Sequence, residues 1–529
     1  CLEGTENRRL LAAMGCNCST PQVGAPSRQT QSPAASVHED EHEEISLLNV
    51  IRGAELHAWD GWGTTLCWWA TALGDSEQLA DLFFTLDDVA VHGQVLPGLG
   101  LNIARYCIGG SSSKKDQATG RHMKASTLSP WYKHTPGFLV ESGSSSSMED
   151  QSSRRWDWGA DRKQVRMLHM AKARGVNFLE AFSNSPMWWM TKNYSTMGGE
   201  HFLANNLRET YFEDFAKYLA ITVQHFKEHK GIEFTSISPF NEPVYAYNKL
   251  IFPMPQERCG FDPSLQAWIL GYLHHELQER GLSGVTLTAS DETSAKHAVA
   301  TWDKLSTASL PHKHDLHGKR PQELVRKWNV HGYEKPSADD LKQVHKAHRH
   351  TSRPLVLWMS EYDDLDESGL TLAKEIHRHM RHMKPTGWCL WQVVDPEWGL
   401  LECQLKNSTR VHIRQKYYIF AHFTRHIRPT MSIVSVSGNH VVAAYDASGH
   451  VLALVATNLG TSAQTFTYDL GDFAVQGSIT RWCTNFEGHD RYTKYDDVRL
   501  IGTKLEVHFP AKTIMSFQFE DTHVSTFSV

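Results

Sequence analysis

The sequence lacks the marks of several function classes. It has no block of Lys or Arg, and 53 basic against 59 acidic residues give a net charge of −6. That is the wrong sign for gripping a phosphate backbone, so no nucleic-acid partner is expected. No apolar run reaches the roughly 20 residues that a helix needs to span a bilayer, so no membrane insertion is expected. Cysteine is sparse and odd in number, at nine residues. Cys16-x-Cys18 has no second Cys or His pair at zinc spacing, and His-rich stretches such as HKAHRH read as exposed helix faces. No metal centre and no cofactor are therefore expected. Internal repeats are absent too.

Tryptophan, by contrast, is abundant, with 17 residues. Indole fills cores well, and its face also stacks on the C–H face of a sugar ring. The pairs Trp68–Trp69 and Trp188–Trp189 suit either use. Asn17, Asn193 and Asn407 stand in N-x-Ser/Thr sequons, the acceptor pattern of secreted proteins. On these grounds a secreted glycoprotein is expected.

Residues 1–46 are rich in Ser, Gln, Pro and acidic residues, without hydrophobic periodicity, and read as a disordered arm. From 47 to 429 short apolar runs alternate with amphipathic segments. The runs are LHAW (56–59), LNIARY (101–106), VNFLEAF (176–182), FTSISPF (234–240), VTLTAS (285–290), KWNVHGY (327–333), PLVLWMS (354–360) and GWCLWQ (387–392). Eight strands, most followed by a helix-like segment, make a (β/α)8 TIM barrel. From 430 to 529 short alternating strands such as VLALVATN and KLEVHF, separated by turns, form an attached C-terminal antiparallel β-sandwich. A short strand near 47–54 is a candidate to join that sandwich.

Polar residues follow each run: Asp60, Arg105, Asn184, Asn241–Glu242, Asp291–Glu292, His331, Glu361 and Gln392. In such barrels the C-terminal strand ends carry the active site. Glu242 follows the fourth run and Glu361 the seventh, on opposite sides of the ring. Two carboxyls facing each other across the mouth are the requirement for glycoside hydrolysis. Asn241 is suited to holding a sugar 2-hydroxyl, and Pro243 stiffens the turn. An apolar wall from Phe240 is expected to keep Glu242 protonated, and Arg105 to keep Glu361 ionised. His331 or Tyr333 is positioned to hydrogen-bond Glu361.

The motifs SPFNEP, WMSEY, LNIARY, FSNSPMWWMT and DGWGTTLCWWA together resemble glycoside hydrolase family 30. DGWGTTLCWWA, the WDW at 156–158, SNSPMWWM and PQERCGFDP resemble its endo-β-1,6-galactanase-like branch. The resemblance runs from about residue 50 to the C-terminus. It implies a (β/α)8 barrel with an attached β-sandwich, a retaining mechanism, Glu242 as acid/base and Glu361 as nucleophile. It also implies cleft positions for Asn241, Arg105, Trp391 and the His331/Tyr333 segment. With Asp60, Trp62, Asn184 and Trp188 these make the expected substrate-binding set. The implied partner is a polysaccharide or oligosaccharide, bound by a monomer. β-1,6-Galactan is the first choice of substrate. β-1,6-Glucan, xylan, a glucosylceramide-like lipid glycoside and an inactive carbohydrate-binding role are the alternatives. Arg258 in QERC, Cys107, the Ser/Lys-rich stretch after Gly110 and the acidic SEYDDLDESG depart from the pattern, and all bear on substrate choice.

Overall fold

A computed structural model describes residues 41–48, 58–124, 131–199, 205–244 and 256–524, apart from 313–315, 317, 352, 407–409 and 487. Of the expected arm, residues 1–40 lie outside this set.

Eight parallel strands close into a barrel: β1 (Gly61–Thr65), β2 (Ile103–Cys107), β3 (Phe178–Phe182), β4 (Ser236–Ser238), β5 (Thr286–Glu292), β6 (Lys327–His331), β7 (Val356–Tyr362) and β8 (Gly387–Leu390). Helices follow the strands, including Arg162–Ala173, Phe212–Lys230, Pro263–Glu279 and Gln415–His426. Local chemistry sets their ends. Asp262 accepts from the Ser264 and Leu265 amides with Pro263 in the first turn, and Gly231 closes Phe212–Lys230 in the left-handed conformation.

One strand departs from the expected set. The first barrel strand is GWGTT, not LHAW. It has no continuous apolar run because its backbone must lie tight against β2. A Cβ on Gly63 would come within 2.5 Å of the Ile103 Cβ, and one on Gly61 would collide with Asn102. Asp60 consequently precedes β1 and sits at the opposite end of the barrel from the mouth. Its carboxylate accepts from Trp358 Nε1 at 2.8 Å and Thr386 Oγ1 at 2.6 Å, which tie the bottom of β1 to β7 and β8. Asp60 is a stabilising bottom residue, not a substrate ligand.

Two bulges matter for the mouth. Register shifts between Ser290 and Glu292 in β5 and between Met359 and Glu361 in β7. A bulge re-aims side chains that strict alternation would send to opposite faces. Ser360 and Glu361 can therefore both reach the mouth.

The second layer system is a ten-stranded sheet folded around its own apolar core, which holds Val434, Leu454, Phe466, Leu505 and Phe517. Its strands are antiparallel with one exception. Glu41–Leu48 runs parallel to Gln464–Asp469 through residues 41–46 and pairs antiparallel with Ser432–Val436 through Leu47 and Leu48. This strand takes in residues 41–46 of the expected arm and starts ahead of the 47–54 window. Main-chain pairing holds a strand whatever its charge pattern, so the acidic run gave no warning. The sandwich meets the barrel along Gln415–His426. There His422 bonds Ser516 and Thr484, both at 2.9 Å, and His426 bonds Tyr492 Oη at 2.8 Å.

Candidate active site

Two buried layers build the mouth of the barrel. The lower one starts from charged residues in mid-strand. Arg105 of β2 is fully buried. It donates to Glu180 of β3 at 2.8 Å, to Asp291 of β5 at 2.7 Å and to Glu361 of β7 at 3.4 Å, with the Ser360 carbonyl at 3.0 Å. Lys327 of β6 pairs with the other Glu180 oxygen, and Asn329 donates to both Glu180 and Asp291. Ser360 Oγ donates to Asp291 at 2.7 Å. Burial opposes charge on Asp291, but Arg105 and His331 hold its carboxyl far below the usual range. Asp291 and Glu180 are the residues the sequence reading left out of its site. For Glu180 the signal was there: a charge in the middle of an apolar barrel strand needs an inward partner.

The upper layer holds the carboxyl pair. His331 is fully buried at the end of β6. Its Nε2 lies 3.2 Å from Asp291, and its Nδ1 lies 3.3 Å from Glu242 and 3.5 Å from Glu361. Tyr333 Oη donates to Glu361 at 3.1 Å. One oxygen of each glutamate and a ring nitrogen of His331 all lie within 4.8 Å of one another. Spacing alone would let such a trio hold a metal ion; Arg105 and Lys327 offset two of the four carboxylates gathered here, and His331 offsets a third when it carries a proton. Desolvation pushes the His331 pKa down. The Glu361 charge and the bonds to Asp291 and Glu242 overcome it and raise the value to about 10.

Glu242 adopts the left-handed conformation, with φ of 49°, directly before Pro243. A non-glycine residue there costs on the order of 1–3 kcal/mol and persists where surroundings impose it. The imposing contact is the Glu242 amide donating to the Asp291 carbonyl at 2.8 Å; Asp291 is itself left-handed, at φ 53°.

The expected division of environments between the glutamates differs from the one found. Phe240 is buried against Phe261, ring centres 5.0 Å apart. Glu361 is the more enclosed carboxyl, its side chain 5% exposed against 11% for Glu242. Burial raises the Glu361 pKa to about 7. Glu242 and Asp291 push the same way, while His331 and Arg105 oppose. Arg105 moderates the nucleophile candidate rather than simply holding it ionised.

The other expected ligands divide. Asn241 is 5% exposed and its Oδ1 has no partner; Asn184 Oδ1 is likewise unpartnered, with its amide 3.9 Å from Cys67 Sγ. Trp391 follows β8 and meets Trp68 edge-on at 5.2 Å. Trp188 is wholly buried in the loop after β3, and its amide bonds the Gly110 carbonyl at 2.8 Å. Trp62 points out of the barrel. It packs among Trp59, Trp388, Phe420 and Phe423, and its Nε1 donates to the Ile427 carbonyl at 2.7 Å. Alternation along β1 sends it to the helix side, so it is a core residue and not a sugar contact.

The acidic stretch after Glu361 is structural. Asp363 pairs with Lys416 at 2.7 Å, and Asp366 accepts from Ser368 and Thr371. Of the sequons, Asn17 and Asn407 lie outside the described residues. Asn193 donates to the Gly198 carbonyl at 2.7 Å and accepts from Asn206 at 2.9 Å, so its amide is already engaged. The described cysteines are buried free thiols. No helix among the described residues is long and apolar enough to cross a membrane.

Comparison with known proteins bears on this geometry. The family model described as O-Glycosyl hydrolase family 30 matches residues 50–314. The chain is 36% identical over 465 residues to an endo-beta-1,6-galactanase of Hypocrea rufa, covering 87% of this chain and 91% of that protein. It is 22% identical over 412 residues to an exo-beta-1,6-galactobiohydrolase of Bifidobacterium longum subsp. longum, covering 64% of this chain and 26% of that protein. Among solved structures, the catalytic domain of a family 30 xylanase C from Talaromyces cellulolyticus matches with a TM-score of 0.65 at 18% identity. That match covers 90% of this chain and 100% of the other, a likeness of fold.

Proposed function

The chain belongs to glycoside hydrolase family 30 and is an O-glycosyl hydrolase; from that premise we propose that it cleaves β-1,6-linked galactan, internally and with retention of configuration. The observation that carries this reading is the spacing of the carboxyl pair, with facing oxygens no more than 4.8 Å apart. Double displacement needs the two carboxyls about 5–5.5 Å apart, whereas inversion needs about 6.5–9.5 Å to admit a water between carboxylate and sugar.

Charge bookkeeping supports the roles. Arg105, Lys327 and protonated His331 face Glu180, Asp291 and Glu361, which leaves the buried cluster balanced when Glu242 carries a proton. Glu242, the more open of the pair, gives that proton to the glycosidic oxygen as the C1–O bond breaks. A Glu361 oxygen forms the new bond to C1, and its charge is spent in doing so. Tyr333 and Arg105 orient Glu361 by hydrogen bonds. In the second step a water gives its proton back to Glu242, its oxygen bonds C1, and Glu361 leaves as a carboxylate. Both displacements occur at C1, so the anomer is retained. Asn241 lies beside Glu242, buried and with its Oδ1 unpartnered, as an acceptor awaiting a sugar hydroxyl would be.

The choice of galactan rests on the relative from Hypocrea rufa. Polymeric galactan lies outside cells, so a secreted monomer fits the reading. The test is a product profile on defined β-linked oligosaccharides with NMR detection of the anomer first released. β-Configured galacto-oligosaccharides from β-1,6 substrates support the proposal; an α-anomer, or no cleavage by folded protein, rejects it.

A further inference from the structure

Among the described tryptophans two are well exposed, Trp131 at 51% and Trp268 at 40%. Trp268 is on the helix Pro263–Glu279 beside Phe212. Trp131 is different, because a line of contacts joins it to the catalytic centre. Trp391 donates its amide to the carbonyl of Tyr362, the residue after Glu361. Trp68 meets Trp391 edge-on, and Lys133 Nζ lies 5.1 Å above the Trp68 ring. Lys133 ends the short helical turn Trp131–Lys133, in which the Trp131 ring meets Tyr132 edge-on at 6.1 Å. The charges of Asp395 and Glu397, from the loop after β8, are felt at Tyr132. The turn therefore lies beside the β8 sector of the mouth.

Two donors along this line have no partner. Trp68 Nε1 and Gln392 Nε2 are both unbonded, though Trp68 is only 2% exposed and Gln392 is wholly buried. The two residues are joined, Trp68 N donating to Gln392 Oε1 at 3.1 Å. Buried donors left open beside a cleft await acceptors from a ligand. A half-exposed indole at its outer end offers a flat apolar face. A galactopyranose presents the matching chemistry, since its axial O4 gathers the C–H groups of C3, C4 and C5 on one face while its hydroxyls ring the edge.

We propose that Trp131 is the platform of a glycone-side subsite that holds a sugar beyond the one attacked by Glu361, with Trp68 and Gln392 donating to the chain between. The proposal deepens the galactanase reading and rests on it. The side follows from the ring. β8 is four strands from β4, hence opposite Glu242, and the proton donor must stand next to the leaving sugar. The chain passing Trp391 and Trp68 is then the glycone.

The test compares wild type, Trp131→Ala and Trp131→Tyr on reducing-end-labelled β-1,6-galacto-oligosaccharides of two to six units. The expected result for Trp131→Ala is a kcat/KM loss of about tenfold on the hexasaccharide, carried by KM, that fades as the chain shortens. Cleavage positions redistribute, and Trp131→Tyr recovers most of the loss. A loss equal at every chain length, or none on the hexasaccharide, overturns the platform. If wild type cleaves no galacto-oligosaccharide but cleaves another β-linked glycan, the sugar assignment fails. The same length series in that glycan then decides Trp131 separately.

Discussion

His331 and Asp291 are joined at 3.2 Å, and this contact turns the other ring nitrogen of His331 toward both Glu242 and Glu361. Asp291 also carries the backbone carbonyl that pins Glu242 in its left-handed conformation. A wholly buried residue thus supports both carboxyls, one through its backbone and both through His331.

Asp291→Asn should lower kcat by at least about tenfold while leaving KM within about threefold. The sign of its pH effect follows from the charge lost. His331 is raised to about 10 partly by Asp291. Without that charge the imidazolium gives up its proton at lower pH. The alkaline limb of the pH–rate profile should move down by about one unit or more. Arg105, Asn329, Ser238 and Ser360 also face Asp291. Asn preserves most of their hydrogen bonds, and a thermal melt checks the fold. An unmoved alkaline limb would show that His331 protonation is not what Asp291 supports.

Tyr333→Phe removes a hydrogen bond to Glu361. Such bonds to charged groups contribute about 1.5–3 kcal/mol, which corresponds to a rate loss of roughly 10- to 150-fold. Glu361 has its pKa raised to about 7, and as the proposed nucleophile it has to be ionised. Losing the donor destabilises the ionised form, so the acid limb should shift to higher pH. A shift to lower pH would contradict the assigned direction of the bond.

Glu242 and Glu361 are separable by chemistry as well as by rate. Glu242→Ala should lower turnover by about 10²–10⁴-fold on substrates with poor leaving groups, the usual worth of a general acid. On an activated aryl glycoside, added azide should rescue it and give the β-glycosyl azide. Glu361→Ala should be rescued to the α-glycosyl azide, since azide then attacks directly. Swapped anomers, read by NMR, would reverse the two assignments.

The seam between barrel and sandwich should be acid-sensitive. His377, His422 and His426 are buried there, bonded to Thr457, Ser516, Thr484 and Tyr492. Desolvation pushes His377 and His426 down to about 3, and His422 well below its ordinary value. In the unfolded chain each titrates near ~6.5. The native state therefore has its full stability above that value and loses it as pH falls from 6.5 toward 3. Each histidine contributes a slope of about 1.4 kcal/mol per pH unit within that window. Urea unfolding at pH 7, 6, 5 and 4.5 measures it, and His377→Gln should flatten the curve by close to one proton.

The fold was largely legible because seven barrel strands fall in short, mainly apolar runs, as strands buried on both faces do. β1 hid itself: GWGTT owes its shape to close backbone approach, which no hydrophobic pattern records. That single shift misdirected Asp60 to the mouth and left Trp62 looking like a sugar contact. In the site, Glu242 and Glu361 were visible from strand order. Asp291 as their common support was not, because its role comes from a bulge in β5, and bulges have no reliable mark in sequence. Trp131 was equally hidden. Composition counts indoles and cannot say which of them face water.

The strand Glu41–Leu48 lies between Ser432–Val436 and Gln464–Asp469 in the sandwich, yet it is made 387 to 423 residues before the residues it pairs with. A ribosome therefore finishes the barrel with this strand still waiting for its sheet. The sandwich is not a module that gene fusion can move: residues 430–529 alone would leave two layers with open edges where the first strand belongs. Selection acting on either end of the gene acts on both, and the catalytic barrel is held between them as a loop in the chain of its own support.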